Sequence, residues 1–156
     1  MMTTLPPAPE QVLQQTMTRL EQALLAPVVG GELQQWIGNV QLAAATFATD
    51  WTRYLCTVLH QEYAQIAGTD PELLGVVQQM MRVDRQLLED FARFQEDLHK
   101  LCCRAQRVEK HESKVAEQRQ ALEETGLRLI VSIKRQQAAA DTWLAEALYR
   151  DRGVGD

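Results

Sequence analysis

Histidine and cysteine residues recur at helical spacing in two segments of the chain, and both are side chains that bind zinc. In the first segment, Cys56 precedes His60 by four residues. In the second, His99 precedes Cys102 and Cys103 by three and four residues. Residues three or four apart lie on the same face of an α-helix. Each segment could therefore offer neighbouring ligands to a zinc ion.

The two segments are poorly placed to share one metal ion. If they form a hairpin that turns near Thr69, His60 faces the region of Gln78, and Cys102 lies about 30 Å further along the axis. At 100° per residue, Cys56 and His60 also point away from the apolar side of their helix. We therefore expect an exposed histidine and ordinary, partly buried thiols, with no metal ligand and no cofactor in the chain.

The vicinal pair Cys102-Cys103 gives little support to redox chemistry. Adjacent residues of a helix diverge by 100°, so a disulfide between them would distort the helix. With Cys56, the chain has three cysteines, an odd and low number that argues against a secreted disulfide scaffold. The first residues also lack the apolar stretch of a signal peptide. We expect a cytoplasmic protein.

Asp84 is the one charged residue within an otherwise apolar heptad pattern. The pattern comprises Leu73, Val77, Met80, Asp84, Leu87, Phe91, Phe94, Leu98, Leu101, Ala105 and Val108. A buried carboxylate must be paired or hydrogen-bonded, and the same hairpin geometry places Tyr54 and Arg53 near Asp84. Two interpretations stay open. Asp84 fixes the helix register, or it is one carboxylate of a ligand or metal site, with an inward-facing Glu62 as its companion.

The sequence contains no pairing of a nucleophile with a base. Its two serines, Ser113 and Ser132, are not near a plausible base by spacing. A glycine-rich phosphate-binding loop is also missing. We therefore expect no catalytic residue and no enzymatic activity.

Charge argues against two further classes of partner. The 156-residue chain has a net charge of −5, and its Lys and Arg residues are interleaved with Asp and Glu. Nucleic-acid binding needs a basic stripe, and so does binding to an anionic membrane surface. The longest uncharged run, Leu33 to Thr49, contains four side-chain amides and is unsuited to membrane insertion.

Helix signals divide the chain into a flexible lead-in at residues 1–8, a single helical-bundle domain at 9–150 and a frayed tail at 151–156. Proline suits a first helical turn, and Asp-Pro is a strong start signal. The predicted helices begin near Pro9, Glu32, Asp70-Pro71 and Leu127, and the second and last end near Ala67 and Tyr149. The apolar stripe of the second helix is Leu33, Trp36, Val40, Ala43, Phe47, Trp51, Tyr54 and Val58.

The turn before the last helix has two possible positions, Lys110–Ser113 and Thr125-Gly126. Gly126 is a conventional helix breaker. The earlier turn, however, gives three helices of similar length, which bury more surface than one long helix with a polar, unpacked end. The sequence favours the earlier turn.

The segments His60-Gln-Glu62, Asp70-Pro71-Glu-Leu73 and Val83-Asp84-Arg85-Gln-Leu87-Leu88 resemble the middle of the hemerythrin-like (HHE cation-binding) family. Ala64 stands where that family's metal-binding helix has glutamate, and Val83-Asp84 replaces its Glu-His pair. The resemblance implies an up-and-down helical bundle that has lost its di-iron site. It agrees with the fold predicted from the residues, an all-α antiparallel bundle of three to four long helices with coiled-coil-like packing.

The charge-poor second helix predicts an interaction function. From Leu33 to Gln61, Asp50 and Arg53 are the only Asp, Glu, Lys or Arg residues. Such a helix needs more cover than one hairpin partner supplies, and the segment Leu127–Ile133 is also apolar on both faces. We expect a non-enzymatic helical interaction or oligomerisation module, which pairs with itself or with a partner helix. The alternative is a small-molecule or metal-binding bundle that uses Glu62, Asp84 and the facing last helix.

Overall fold

The computed structural model describes residues 5–28, 32–107 and 112–153, and these ranges contain helices and turns but no strand. The helices are α1 (Pro9–Leu25), α2 (Leu33–Tyr54), α3 (His60–Thr69), α4 (Leu74–Arg107) and α5 (Glu112–Gly153). The predicted all-α fold is confirmed. Across the same ranges, every helix falls short of the length and apolarity that a bilayer crossing requires.

One π-helical turn, Leu55–Leu59, joins α2 to α3 without a break in the rod. Backbone angles stay right-handed on both sides of it, at Leu55 and at His60. A π turn holds one residue more than an α turn, so the helix beyond it is rotated about its axis. Beyond the turn, the buried residues are Leu59 and Tyr63, and the predicted Val58 is only half-buried. Within α2, Ala44 is buried where Ala43 was expected.

The helices form an antiparallel four-rod bundle in which neighbours in sequence are neighbours in space. The α1 helix packs against α2 and α5, and α4 packs against α2, α3 and α5. An aromatic cluster fills the centre, where Phe47 and Trp51 stack at 5.5 Å and Phe91 meets both rings edge-on. The expected heptad face of α4 and aromatic face of α2 thus supply the core.

The α4 helix ends at Arg107 and α5 begins at Glu112. The later of the two predicted turn positions, Thr125-Gly126, is therefore wrong, because it lies within α5, whereas Lys110 of the earlier position lies outside the described residues. Gly126 does not end a helix. It is buried in the middle of α5, where a Cβ atom would lie 2.8 Å from Leu24 Cδ1 and 3.0 Å from Phe94 Cζ. The glycine allows close helix approach.

The two ends of the chain differ in how far they match the expected boundaries. Residues 5–8 of the predicted lead-in have no regular secondary structure, and residues 1–4 lie outside the described ranges. The α5 helix continues to Gly153, beyond the predicted end near Tyr149 and into the predicted tail. Residues 154–156 of that tail are not among those described.

Candidate functional site

Asp84 lies in the interior of the bundle, where α3, α4 and α5 meet. Its side chain is almost fully buried, with 2 % of the residue exposed. Oδ1 accepts a hydrogen bond of 3.2 Å from Nε2 of Gln136, and the same nitrogen lies 3.4 Å from the carbonyl oxygen of Met80. Gln136 of α5 therefore links the Asp84 carboxylate to the backbone of α4.

His60 faces Asp84 across the bundle, contrary to the outward direction expected from the sequence. Its Nε2 lies 3.5 Å from Oδ2 of Asp84, within ion-pair range but longer than a good hydrogen bond. Both atoms are buried and have no hydrogen-bond partner in the described part of the chain. The π-helical turn just before His60 rotates it toward α4, which an assumption of 100° per residue could not anticipate.

The expected partners of Asp84, Tyr54 and Arg53, do not contact it through a hydrogen bond or ion pair among the described residues. Arg53 is exposed. The predicted centre of the hairpin is Thr69, whereas the connection runs through a 3-10 turn at Pro71–Leu73. The centre of the hairpin therefore lies further along the chain, and the residue opposite Asp84 is His60.

Tyr63 occupies the inward position that was expected for Glu62. It is fully buried, and its hydroxyl has no hydrogen-bond partner among the residues described. The ring stacks on His60 with centroids 6.0 Å apart and meets Trp143 of α5 edge-on at 5.9 Å. Glu62 is exposed, so it is not a companion carboxylate for Asp84. The same π-helical rotation explains both differences.

Burial governs the electrostatics of this cluster. Loss of solvation raises the pKa of Asp84, against the opposing effects of the Gln136 hydrogen bond and the nearby His60. Burial also raises the pKa of Tyr63, with the Asp84 charge as the next largest cause. Burial and the charge of Glu10 raise the pKa of Tyr54 to about 12. Both tyrosines therefore stay protonated and can donate hydrogen bonds at neutral pH.

A small cavity of about 10 Å³ adjoins the carboxylate. Its lining is largely apolar, with Asp84, Gln136 and Gln137 as the polar members. Oε1 of Gln137 is buried and lacks a hydrogen-bond partner within the described ranges. This volume holds about one water molecule and excludes organic ligands in this conformation. The polar groups that line the cavity can orient a water molecule beside the carboxylate.

The remaining histidine and cysteine candidates stay apart from this cluster. Nε2 of His99 and Sγ of Cys103 are 3.8 Å apart on the outer side of α4, and Cys56 is exposed on the π turn. All three cysteines are free. Among the described residues, no three His, Cys, Asp or Glu side chains are grouped closely enough to hold a metal ion.

Comparison with known proteins gave no relative from which a role for these residues could be transferred. The hemerythrin-like resemblance stays a prediction from the sequence. The chain matches no protein-family model, no curated protein and no solved structure.

Proposed function

We propose that this chain is a non-enzymatic helical interaction module that self-associates through the outer face of α2. The observation that carries the proposal is a second heptad pattern on that helix, which we call the outer seam. It consists of Gly38, Leu42, Ala45, Thr49, Thr52 and Cys56, all of them exposed. Successive members are four, three, four, three and four residues apart, the spacing of a seam between two helices.

The outer seam lies on the side of α2 opposite its buried face. At 100° per residue, the seam residues point on average about 160° away from Val40, Phe47 and Trp51, which pack in the core. The helix thus has one heptad face covered by α1 and α4 and another that no described helix covers. A helix with two such faces is typical of a protein that packs against a further helix.

The chemistry of the outer seam suits close packing. Leu42 is 71 % exposed, and most of its seam neighbours are small and uncharged. The hydroxyl of Thr49 donates to the carbonyl of Ala45 at 3.0 Å, and Thr46 beside the seam bonds Leu42 in the same way. Because these hydroxyls are satisfied within their own helix, burial of the surface would leave few polar groups unpaired.

The two charged residues of α2 favour a second copy in antiparallel orientation. Arg53 lies about 60° from the centre of the outer seam, and the half-buried Asp50 lies further round on the same side, about 120° from the centre. In an antiparallel pair centred near Thr52, these sides of the two copies face each other, so that Asp50 of each copy lies nearest to Arg53 of the other. In a parallel pair, this side faces the uncharged side of the partner helix, and no such pairing forms.

The second expected contact, Leu127–Ile133, does not support the proposal. Ile130 and Ile133 are buried within the chain's own core, and Leu127 and Leu129 are half-buried against it. Val131, 46 % exposed, is the large apolar side chain of this segment that faces solvent. Most apolar side chains of Leu127–Ile133 are thus covered by the chain's own bundle and need no second chain.

Mass in solution tests the proposal, measured by light scattering at about 100 µM, a concentration at which a specific interface of standard size is largely formed. We expect at least a dimer for the parent chain and a monomer for Leu42→Glu. Val131→Glu is the matched control, because it places the same charge at an exposed apolar position of the alternative contact, and it should stay dimeric. A monomeric parent chain, or a dimer that survives Leu42→Glu, would contradict the proposal.

The second candidate is a small-molecule or metal-binding bundle. The unpaired buried atoms of His60 and Asp84 favour a metal ion over an organic ligand, because the adjoining cavity of about 10 Å³ has room for only about one water molecule. Glu62 has no part in it, because its side chain is exposed. Metal analysis of protein purified without chelator separates the two candidates. In either case we place the chain in the cytoplasm, since three free cysteines suit a reducing compartment.

A further inference from the structure

A groove of about 550 Å³ lies at the end of the bundle where the turn between α3 and α4 meets the last part of α5. Its apolar lining consists of Ile66, Leu73, Leu144, Ala147 and Leu148. Leu148 is 58 % exposed, so a large apolar side chain stands in solvent at this end. The groove is far larger than the cavity beside Asp84 and is within the size range of ligand-binding clefts.

Carboxylates border this apolar lining. Glu62, Asp70 and Glu72 contribute to the groove, and among the described residues that line it none is basic. Oδ1 of Asp70 accepts a hydrogen bond from the backbone N–H of Glu72, which fixes the turn that carries both acids. The groove therefore combines an apolar floor with a negative rim, and the negative net charge of the chain strengthens its field.

We propose that this groove docks a basic amphipathic helix of a partner protein, with the partner's apolar side chains on the floor and its Lys or Arg residues over the rim. Such a helix matches both features of the surface, because its apolar stripe and flanking cations lie on adjacent sides. An anionic membrane surface is repelled by the acidic rim. A second copy of this chain does not fit, because its own basic residues are interleaved with acids and form no basic stripe.

This site is separate from the outer seam, and its partner is of a different kind. The seam lies on α2 and is proposed to bind a second copy, whereas the groove is built from α3, α5 and the turn between α3 and α4. One chain could therefore pair with itself and hold a basic helix at its end. The two associations should be separable by mutation.

Fluorescence anisotropy with the full chain tests the groove. The probe is a labelled synthetic helix of about 16 residues, with leucines on one face and lysines on both flanks, long enough to span the groove. We expect a Kd on the order of 10 µM that weakens as salt rises, because ion pairs at the rim are screened. A matched peptide with glutamate in place of every lysine should bind at least about tenfold more weakly.

Two groove variants and two control variants locate the binding. Leu148→Glu and Glu62→Lys should each weaken binding of the lysine peptide by about tenfold or more, and both positions are exposed enough to leave folding intact. Leu25→Glu changes a residue of similar exposure near the opposite end of the bundle and should bind normally. Leu42→Glu should also bind normally, which keeps this test independent of self-association.

Several results would overturn the groove proposal. These are equal affinity for the lysine and glutamate peptides, undiminished binding by both groove variants, or no binding at about 500 µM peptide, where even weak docking is measurable. Preferential binding of anionic vesicles over the peptide would also overturn it. Circular dichroism of each variant confirms that its helices are intact before binding is measured.

Discussion

Nε2 of His60 and Oδ2 of Asp84 lie 3.5 Å apart inside the bundle, and each is buried without a hydrogen-bond partner among the described residues. The two groups attract each other but do not form a well-aligned hydrogen bond. Only one oxygen of the carboxylate, the one bonded to Gln136, is fully satisfied. The other buried residues of this helix are apolar. Asp84 places among them a carboxylate with one unpaired oxygen, which is costly to bury.

The first prediction concerns replacement of this carboxylate. Asp84→Leu should leave the free energy of unfolding level or raise it by up to about 3 kcal/mol, because it removes a desolvated charge and completes the apolar seam. Gln136 keeps the Met80 carbonyl as an acceptor, and Nε2 of His60 already lacks a hydrogen-bond partner among the described residues of the parent chain. Urea denaturation of the parent and variant at neutral pH measures the difference.

Asp84→Ala is the matched control for this prediction. It removes the same charge but leaves a cavity, so it should be less stable than Asp84→Leu by about 2 kcal/mol or more. A large loss of stability in both variants would contradict the structural interpretation. It would mean that Asp84 holds together a polar network of His60, Gln136 and neighbouring groups.

The second prediction concerns pH. A carboxyl group with a higher pKa in the folded than in the unfolded chain binds protons more tightly when folded. Its contribution to stability is therefore most favourable at low pH and is lost as the pH rises from the ordinary value of 3.8 through the raised folded value. Relative to Asp84→Asn, the parent should lose unfolding free energy as the pH rises from about 4 to 7.

Urea midpoints of the parent and Asp84→Asn, measured at several pH values, check this slope. The groups that face Asp84 are His60 and Tyr63 from α3 and the neutral Gln136 from α5. His60→Gln in both backgrounds removes the imidazole that lies 3.5 Å from the carboxylate. A stability difference that stays flat with pH in the His60→Gln background would show that burial does not control the carboxyl group.

The third prediction concerns metal. We expect the purified chain to retain no stoichiometric zinc or iron after dialysis and its thermal midpoint to be unchanged by either ion. His60 and Asp84 offer two ligands, position 64 is alanine, and the described residues bring no third acidic, histidine or cysteine group to them. Metal analysis that finds about one or two equivalents per chain would instead support the second candidate function.

The regular helices could be predicted from the sequence because their apolar residues repeat at a constant interval. In α4, Val77, Leu87, Phe91 and Leu98 are buried as the heptad pattern predicts. Their neighbours on the helix surface follow from the same geometry. The break between α3 and α4 was also predictable, because Asp70 caps the turn as its residue type and position before proline indicate.

The contents of the candidate site could not be predicted to the same degree. The π-helical turn at Leu55–Leu59 contains no proline or glycine and has no sequence signature, yet it sets the direction of every residue in α3. A rotation of that size exchanges Glu62 for Tyr63 on the inner face and brings His60 to Asp84. The predicted centre of the hairpin is also displaced by a few residues. This displacement places Tyr54 opposite Asp84, where the structure has His60.

The last prediction concerns Gly126, which the sequence presents as a helix breaker and the structure places inside α5. Alanine is favoured over glycine in a helix by about 1 kcal/mol. A Cβ at this position, however, would lie 2.8 Å from Leu24 Cδ1 and 3.0 Å from Phe94 Cζ, and both neighbours are fully buried. Displacement of packed core side chains costs about 1 to 3 kcal/mol. We therefore expect Gly126→Ala to lower the unfolding free energy, by up to about 2 kcal/mol.

Two variants separate this packing effect from helix propensity. Gly75→Ala, near the start of α4, adds a Cβ that meets nothing within 4 Å and should raise stability by about 0.5 to 1 kcal/mol. Leu24→Val removes both Cδ atoms that the new Cβ would approach, so Gly126→Ala should cost less in that background than in the parent. Urea denaturation of the four chains of this cycle measures the coupling. If Gly126→Ala stabilises the parent as much as Gly75→Ala does, α1 and α4 do not approach α5 at Gly126 as closely as the structure shows.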